Sequence, residues 1–265
     1  MQECFNEGIV ERKDLWITSK LWNDSHGPEH TPVALEKTLS DLQLDYLDLY
    51  LVHWPVSLKK DAGFPPSADE MLPFDMEKTW RAMEQTVDDG KVRHIGVSNF
   101  SIKKLKALLE LARIKPEVNQ VERHPYVQQK ALAKFAKENG IHITNYSSLG
   151  SSDRPDGLKG KDEPVLMEDP SIVTIAENVG ASPAGVLLKW GLVEGASVIP
   201  KSVNPERLEQ NLKVHESVSL TDKDLDQIRS MDKHRRYVDG LFWCAEGSPY
   251  TAATLWDEEG TSDEL

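Results

Sequence analysis

Short apolar, β-branched runs recur along the chain at Leu15 to Ser19, Leu47 to His53, Val92 to Val97, Val118 to Val121, Ile141 to Ser147 and Ser197 to Pro200. Each has the length of a strand and is followed by a helical pattern. Between the second and third, Met76, Trp80, Met83 and Val87 fall on one helical face, and Gly90 stands where a C-terminal cap belongs. Thr31-Pro32, Ser182-Pro183 and Asn204-Pro205 each place a capping side chain before a proline suited to the first helical turn, while Ser101 and Thr221 read as caps without one. Strands alternating with helices imply parallel pairing through right-handed crossovers, so the fold is α/β, with a sheet either doubly wound or closed into a barrel. Periodicity does not choose between those two. The stretch 56–74, broken by Gly63, Pro65, Pro66 and Pro73, reads as a long loop.

Length changes this picture little: 265 residues suit one large α/β domain, expected over residues 1–255, with an acidic tail at 256–265. Charge changes it more. Forty-four acids against 31 bases give a net charge of -13, so a nucleic acid or an anionic membrane would meet repulsion, and an anionic ligand has to be held locally. No apolar run approaches the ~18 residues of a membrane span, and the N-terminus lacks the apolar core of a signal peptide. Two cysteines, Cys4 and Cys244, make a disulfide framework improbable and favour the cytoplasm. The terminal Ser262-Asp263-Glu264-Leu265 resembles the Lys-Asp-Glu-Leu retention signals of the endoplasmic reticulum; the other reading is simply an acidic end.

The residues that could carry chemistry stand where strands stop, which in parallel α/β folds is where ligands bind. His53 closes Leu-Tyr-Leu-Val-His-Trp-Pro, and Lys20 closes Leu-Trp-Ile-Thr-Ser-Lys. Either could instead be structural, the histidine satisfied in a core and the lysine reaching outward along its stem. Ser98-Asn99, Gln120 and Tyr146 end three further strands and offer amide partners and a ring for stacking, although the same residue types make ordinary turns and fill cores. Lys201, Ser202 and Arg207 surround a predicted helix start, whose free N–H groups and dipole would add to the two cations and favour phosphate. The competing reading pairs Arg207 with Glu206 or Glu209 on a solvated face. No metal site is expected.

In order along the chain, Thr-Ser-Lys-Leu-Trp, Asp-Leu-Tyr-Leu-Val-His-Trp-Pro, Gly-Val-Ser-Asn-Phe, Val-Asn-Gln-Val-Glu, Tyr-Ser-Ser-Leu-Gly-Ser and Ile-Pro-Lys-Ser-Val resemble the aldo-keto reductase family, close to its aldehyde and aldose reductases. The resemblance implies a TIM-type (β/α)8 barrel that binds NADPH and reduces aldehydes or aldoses to alcohols, as a monomer acting on a small carbonyl substrate. It makes Lys20 and His53 the catalytic residues, His53 orienting the carbonyl, with Trp22 and Trp54 as walls of the substrate pocket. Phe242-Trp243 would belong to the tail that closes over it. It gives Ser98, Asn99 and Gln120 to the nicotinamide carboxamide, Tyr146 to its ring, and Ser147, Leu149, Ser151 and Asp153 to the pyrophosphate. Lys201, Ser202, Val203, Arg207, Gln210 and Asn211 would hold the adenosine end, with Lys201 and Arg207 at the 2′-phosphate.

The family's proton-donating tyrosine and its aspartate normally precede the lysine strand, yet only 19 residues precede Lys20 here, and Met1 to Phe5 reads as the interior of a helix. The expectation is therefore an incomplete barrel, with its first two strands and both of those residues missing from this chain. A sheet of six such strands would have two open edges and a weakened core. An alternative reading keeps NADPH but drops the chemistry: a non-catalytic sensor or interaction protein.

Overall fold

The computed structural model describes residues 1–257, so the Ser262-Asp263-Glu264-Leu265 end and most of the predicted acidic tail lie outside the described residues. The chain divides into two compact units. One comprises Met1–Asn119 with the described residues from Gly240 onward, and the other Gln120–Asp239.

In the first unit the elements are α1 (Gln2–Asn6), β1 (Thr18–Leu21), α2 (Thr31–Leu42), β2 (Leu47–Val52), β3 (Ser57–Leu58), β4 (Met71–Leu72), α3 (Met76–Asp88), β5 (Val92–Ser98) and α4 (Ile102–Leu111). β6 (Val118–Glu122) begins there and continues into the second unit. All six residues of β2 are buried, as expected of a strand covered on both faces. The single charge among them, Asp48, is met by Arg12 at 2.8 Å and Arg93 at 3.1 Å. Its carboxylate also accepts the Ile17 N–H at 2.9 Å. Burial alone would raise the Asp48 carboxyl, but these partners outweigh it and hold it below the usual carboxylate range. β1 starts at Thr18 rather than at Leu15; just before it, Ile17 gives its N–H to the Asp48 side chain while its carbonyl accepts the Asp48 N–H at 3.0 Å and the Leu49 N–H at 3.2 Å.

Two other expectations change. Thr31 is the first residue of α2, not its cap; its buried hydroxyl donates to Ser25 O at 2.9 Å and Gly27 O at 3.0 Å, and His30 occupies the cap position. The 56–74 stretch contains a small antiparallel pair, β3 with β4, in register Ser57 to Leu72 and Leu58 to Met71. Tyr250 fastens it, accepting the Ser57 N–H at 2.9 Å and donating to Leu72 O at 2.5 Å. Elsewhere the punctuation holds: Ser101, Ser182, Asn204 and Thr221 each accept a backbone N–H of the first helical turn. Gly90, one residue past the α3 cap, adopts φ +71°.

The second unit completes β6 and adds α5 (Lys130–Glu138), β7 (His142–Tyr146), α6 (Pro170–Val179), α7 (Pro183–Val193), β8 (Ser197–Val198), α8 (Pro205–Ser217) and α9 (Asp222–Arg229). Its core gathers Trp190, Ile172, Ile175, Leu187, Ile228 and Tyr237, each side chain contributing about 1.5–3 kcal/mol by leaving water. α6 and α7 are its most apolar helices, and no single helix among the described residues is long and apolar enough to cross a membrane. A buried carboxylate ties the segment before Gly240 to this core. Glu122 accepts the N–H groups of Tyr237 at 2.6 Å and Val238 at 2.8 Å, and lies 2.8 Å from His124 Nε2. The last helix, α10 (Ala252–Trp256), returns to the first unit.

The chain's six-stranded sheet runs β1-β2-β5-β6-β7-β8, in chain order. β1 with β2, β2 with β5 and β7 with β8 are parallel. Six strands in this order, with helices between them and the β3–β4 pair standing apart, have the topology of an incomplete (β/α)8 barrel, which settles the choice that periodicity leaves open.

Candidate functional site

Parallel pairing of β1 with β2 in the register Leu21 to Val52 brings the residues that follow both strands side by side. The His53 N–H donates to Leu21 O at 3.1 Å, and the His53 imidazole stands edge-on to Trp22 with centroids 5.1 Å apart. Lys20, one residue before the end of β1, is half-buried, and desolvation lowers its ammonium below the usual lysine value. His53 is moved further: burial, then the positive charge of Lys20, then His26 bring it down to about 3. The imidazole is therefore neutral at pH 7, a hydrogen-bonding group and not a cation.

At the end of β5, Ser98 is buried and Asn99 turns the chain with φ +63°, a conformation asparagine tolerates better than most residues. The Asn99 amide donates to His53 O at 3.0 Å and to Ser98 Oγ at 3.2 Å, fixing the ends of β2 and β5 to one another. Aromatic rings enclose this corner. Trp22 meets Phe64 at 6.2 Å and Trp243 at 6.1 Å. Trp54, only 4 % exposed, meets Phe242 at 5.8 Å, Trp243 at 5.9 Å and Trp256 at 5.7 Å. Trp54 is thus a backing for other rings more than an open wall. Phe64 and Trp256 go unnoticed in the sequence, because single aromatics in a loop and in a five-residue helix carry no periodicity.

The second unit contains a cleft of about 590 Å³. Ten of the fourteen residues expected at the cofactor line it: Ser147, Leu149, Ser151, Asp153, Lys201, Ser202, Val203, Arg207, Gln210 and Asn211. Ser98 and Asn99 belong to the first unit, and Gln120 and Tyr146 lie on β6 and β7 outside the cleft lining. The loop after β7 is shaped for the cleft by two left-handed residues, Ser147 at φ +51° and Ser151 at φ +46°, whose hydroxyls are 2.6 Å apart. The Tyr146 hydroxyl is pushed well up, first by burial and then by the negative charge of Glu122, so it stays protonated.

The helix start of α8 differs from expectation in its detail. Pro205 has no N–H, the Arg207 N–H is taken by Asn204 Oδ1 at 3.1 Å, and the Asn204 N–H by Ser202 Oγ at 3.1 Å. An anion there would meet the helix dipole and two side-chain cations, not a fan of free amides. Those cations are lightly committed. Lys201 faces Asp153 at 3.4 Å with both side chains at least 70 % exposed, a geometry of little worth in water. Glu209, the alternative partner of Arg207, pairs with Lys213 at 2.5 Å, and among the described residues Arg207 forms no ion pair. The opposite side of the cleft, Ser182, Pro183 and Ala184 with Met167, goes unread in the sequence, where Ser182-Pro183 signals a helix cap and nothing more. Among the described residues no cluster of His, Cys, Asp and Glu is arranged to hold a metal ion.

Residues 1–233 match the Aldo/keto reductase family. An aldo/keto reductase of Synechocystis sp. is 54% identical over 261 residues, covering 97% of this chain and 80% of that protein. A family 4 aldo-keto reductase of Arabidopsis thaliana is 45% identical over 262 residues, 98% of this chain and 80% of its own length. A family 1 aldo-keto reductase of Gallus gallus is 44% identical over 242 residues, with coverage of 89% and 73%.

Proposed function

Because the chain belongs to the aldo/keto reductase family, an NADP(H)-linked oxidoreductase family of carbonyl and alcohol chemistry, we propose that it reduces aldehydes or aldoses to alcohols with NADPH. The observation that carries the cofactor choice is the cleft of the second unit, where Arg207 forms no ion pair among the described residues and Lys201 holds only an exposed one with Asp153, in a chain of net charge -13. That donor set fits a dinucleotide with an additional phosphate: two cations for the 2′-phosphate, Gln210 and Asn211 one turn further along α8 for a base, and serine hydroxyls after β7 for a pyrophosphate. Ser98, Asn99, Gln120 and Tyr146 are assigned to the nicotinamide within the same proposal, as is the reading of residues 1–255 as one domain. Bound NADPH supplies the hydride.

The first unit's part is to handle the carbonyl. His53, neutral at pH 7, offers its ring to the carbonyl oxygen without placing a permanent cation there, and Lys20 supplies positive charge whose desolvation strengthens its field. The surrounding rings exclude water from that corner. Proton delivery is not assigned to any described tyrosine. Tyr146 is given to the nicotinamide ring and its hydroxyl is held protonated by burial, Tyr50 is buried within β2, Tyr46 lies between Arg12 and Arg93, Tyr126 donates to Asp169 at 2.6 Å, Tyr237 to Pro164 O at 2.8 Å and Tyr250 to Leu72 O. This engagement favours a second reading, an NADPH-binding protein without turnover.

One experiment separates the two. NADPH is titrated against tryptophan fluorescence of the purified chain, and reduction of a simple aldehyde is followed at saturating cofactor. Saturable quenching with turnover supports the reductase, quenching alone selects the binding protein, and neither signal overturns both.

A further inference from the structure

Three side chains of α4 and its cap meet the end of helix α10, and Lys104 makes most of the contacts. Lys104, in the first turn of α4 and with its side chain 16% exposed, donates from Nζ to Thr254 O at 2.7 Å, to Leu255 O at 2.9 Å and to Asp257 Oδ2 at 2.5 Å. All three acceptors lie at the C-terminal end of α10, where carbonyls lack intrahelical partners and the dipole is negative. Ser101, the cap of α4, donates from its hydroxyl to the same Asp257 carboxylate while accepting the Lys104 N–H at 3.1 Å. Lys103 reaches the other carboxylate oxygen at 3.6 Å.

A helix of five residues has no stability of its own, so its placement depends on what ties it down. What it places is Trp256, whose ring packs edge-on against Trp54 at 5.7 Å. Trp54 follows His53 directly in the chain and bears on Phe242 and Trp243. The junction has little slack: at Gly240, with φ +76°, an added Cβ would fall 2.6 Å from Leu255 and 3.4 Å from Trp54.

We propose that Lys104 is a positioning residue for the carbonyl end of the reaction, clamping α10 so that Trp256 fixes Trp54 and, through it, the aromatic surround of His53. The inference rests on the reductase reading above for its consequence, but not for its geometry. Lys104 touches neither substrate nor cofactor in this scheme; it acts through the two tryptophans.

The test uses the full chain carrying Lys104→Met, Lys104→Arg, Trp256→Ala, and Lys104→Met combined with Trp256→Ala. Lys104→Met raises KM for benzaldehyde about 10-fold more than KM for glyceraldehyde, with kcat and NADPH affinity within about twofold of the parent. Lys104→Arg recovers most of that selectivity, and the double variant is no worse than Trp256→Ala alone, since both act on one device. Equal changes for the two aldehydes, no change, or additive effects would overturn the proposal. Near-UV circular dichroism of the edge-packed tryptophans reads the clamp without turnover. If the parent chain reduces no aldehyde, the reductase reading fails, and this signal still decides: loss in Lys104→Met to the level of Trp256→Ala upholds the clamp, and an unaltered signal rejects it. Should Lys104→Met not fold by its far-UV spectrum, Asp257→Asn carries the same expectations.

Discussion

The corner at β1 and β2 and the cleft of the second unit treat charge in opposite ways. Around β1 and β2 the ionisable groups are taken out of water: Asp48 is fully neutralised by two arginines, Lys20 is desolvated, and His53 and His26 are both held neutral with values near 3. In the cleft of the second unit, Lys201 and Arg207 stay exposed to solvent, Lys201 with only the equally exposed Asp153 beside it at 3.4 Å. The first arrangement tunes what a group is at a given pH, which suits handling a carbonyl that gains charge as it reacts. The second keeps charge available for a ligand that arrives already ionised, with little desolvation to offset.

The contrast belongs to the cleft and not to the whole second unit, which depends on a buried charge elsewhere, at Glu122. Removing its carboxylate leaves the Tyr237 and Val238 N–H groups and His124 without their acceptor. Glu122→Ala is expected to destabilise the chain by about 3–5 kcal/mol, read as a shift in the urea midpoint. A loss below about 1 kcal/mol would mean that this unit does not rely on that charge, and the contrast would then extend beyond the cleft.

Next in size is the acid response of the first unit. His26 and His53 have folded values near 3, below the unfolded value of about 6.5, so the unfolded chain binds more protons as pH falls. Their contribution is present in full above pH 6.5 and is lost progressively from there towards pH 3. Each removes up to about 1.4 kcal/mol per pH unit, less for the half-buried His53, so about 2–4 kcal/mol goes by pH 5. Denaturant titrations across pH 8 to 5 check this. His26→Gln and His53→Gln together should flatten the slope, whatever they cost at pH 8. A slope unchanged in the double variant would place the acid sensitivity elsewhere.

For the cleft, Arg207→Ala or Lys201→Ala should weaken NADPH by about 1.5–3 kcal/mol, the scale of a hydrogen bond to a charged group, while leaving NADH nearly unaffected. The loss should shrink as salt rises, because both side chains are screened. Equal losses for both cofactors, measured by fluorescence titration, would refute the 2′-phosphate assignment and with it the role of exposed charge in the second unit.

What the sequence made legible follows from how local each signal is. Strands over 47–53 and 92–97 announce themselves because a strand buried on both faces needs an unbroken apolar run. The family motifs point to strand ends because that is where these side chains stand. Ten of the residues so marked then line one cleft, although a motif cannot show what faces it: Ser182 to Ala184 reads as a helix start, and only the packing of α7 near α8 turns it into a cleft wall. Two-residue strands such as β3 and β4 have no period to detect. The anchoring of α10 by Lys104 spans about 150 positions of sequence, and one of three lysines in an amphipathic helix looks like its solvated neighbours.

The smallest expected effect tests the rule that failed once. Ser182 and Thr31 look alike in sequence, each a hydroxyl before proline, but Ser182 accepts the Gly185 N–H at 3.0 Å, whereas the Thr31 hydroxyl donates to two carbonyls upstream of α2. Ser182→Ala should cost about 1 kcal/mol, and Ser182→Asn should recover most of it, since asparagine also accepts at a cap. Thr31→Ala should cost a similar amount, for the loss of a buried hydroxyl's bonds, but Thr31→Asn should recover nothing, because no helix N–H awaits its side chain. Thermal midpoints of the four variants measure the difference. Recovery by Thr31→Asn would mean that α2 starts one residue later in solution, and that proline context alone marks a helix start in both units.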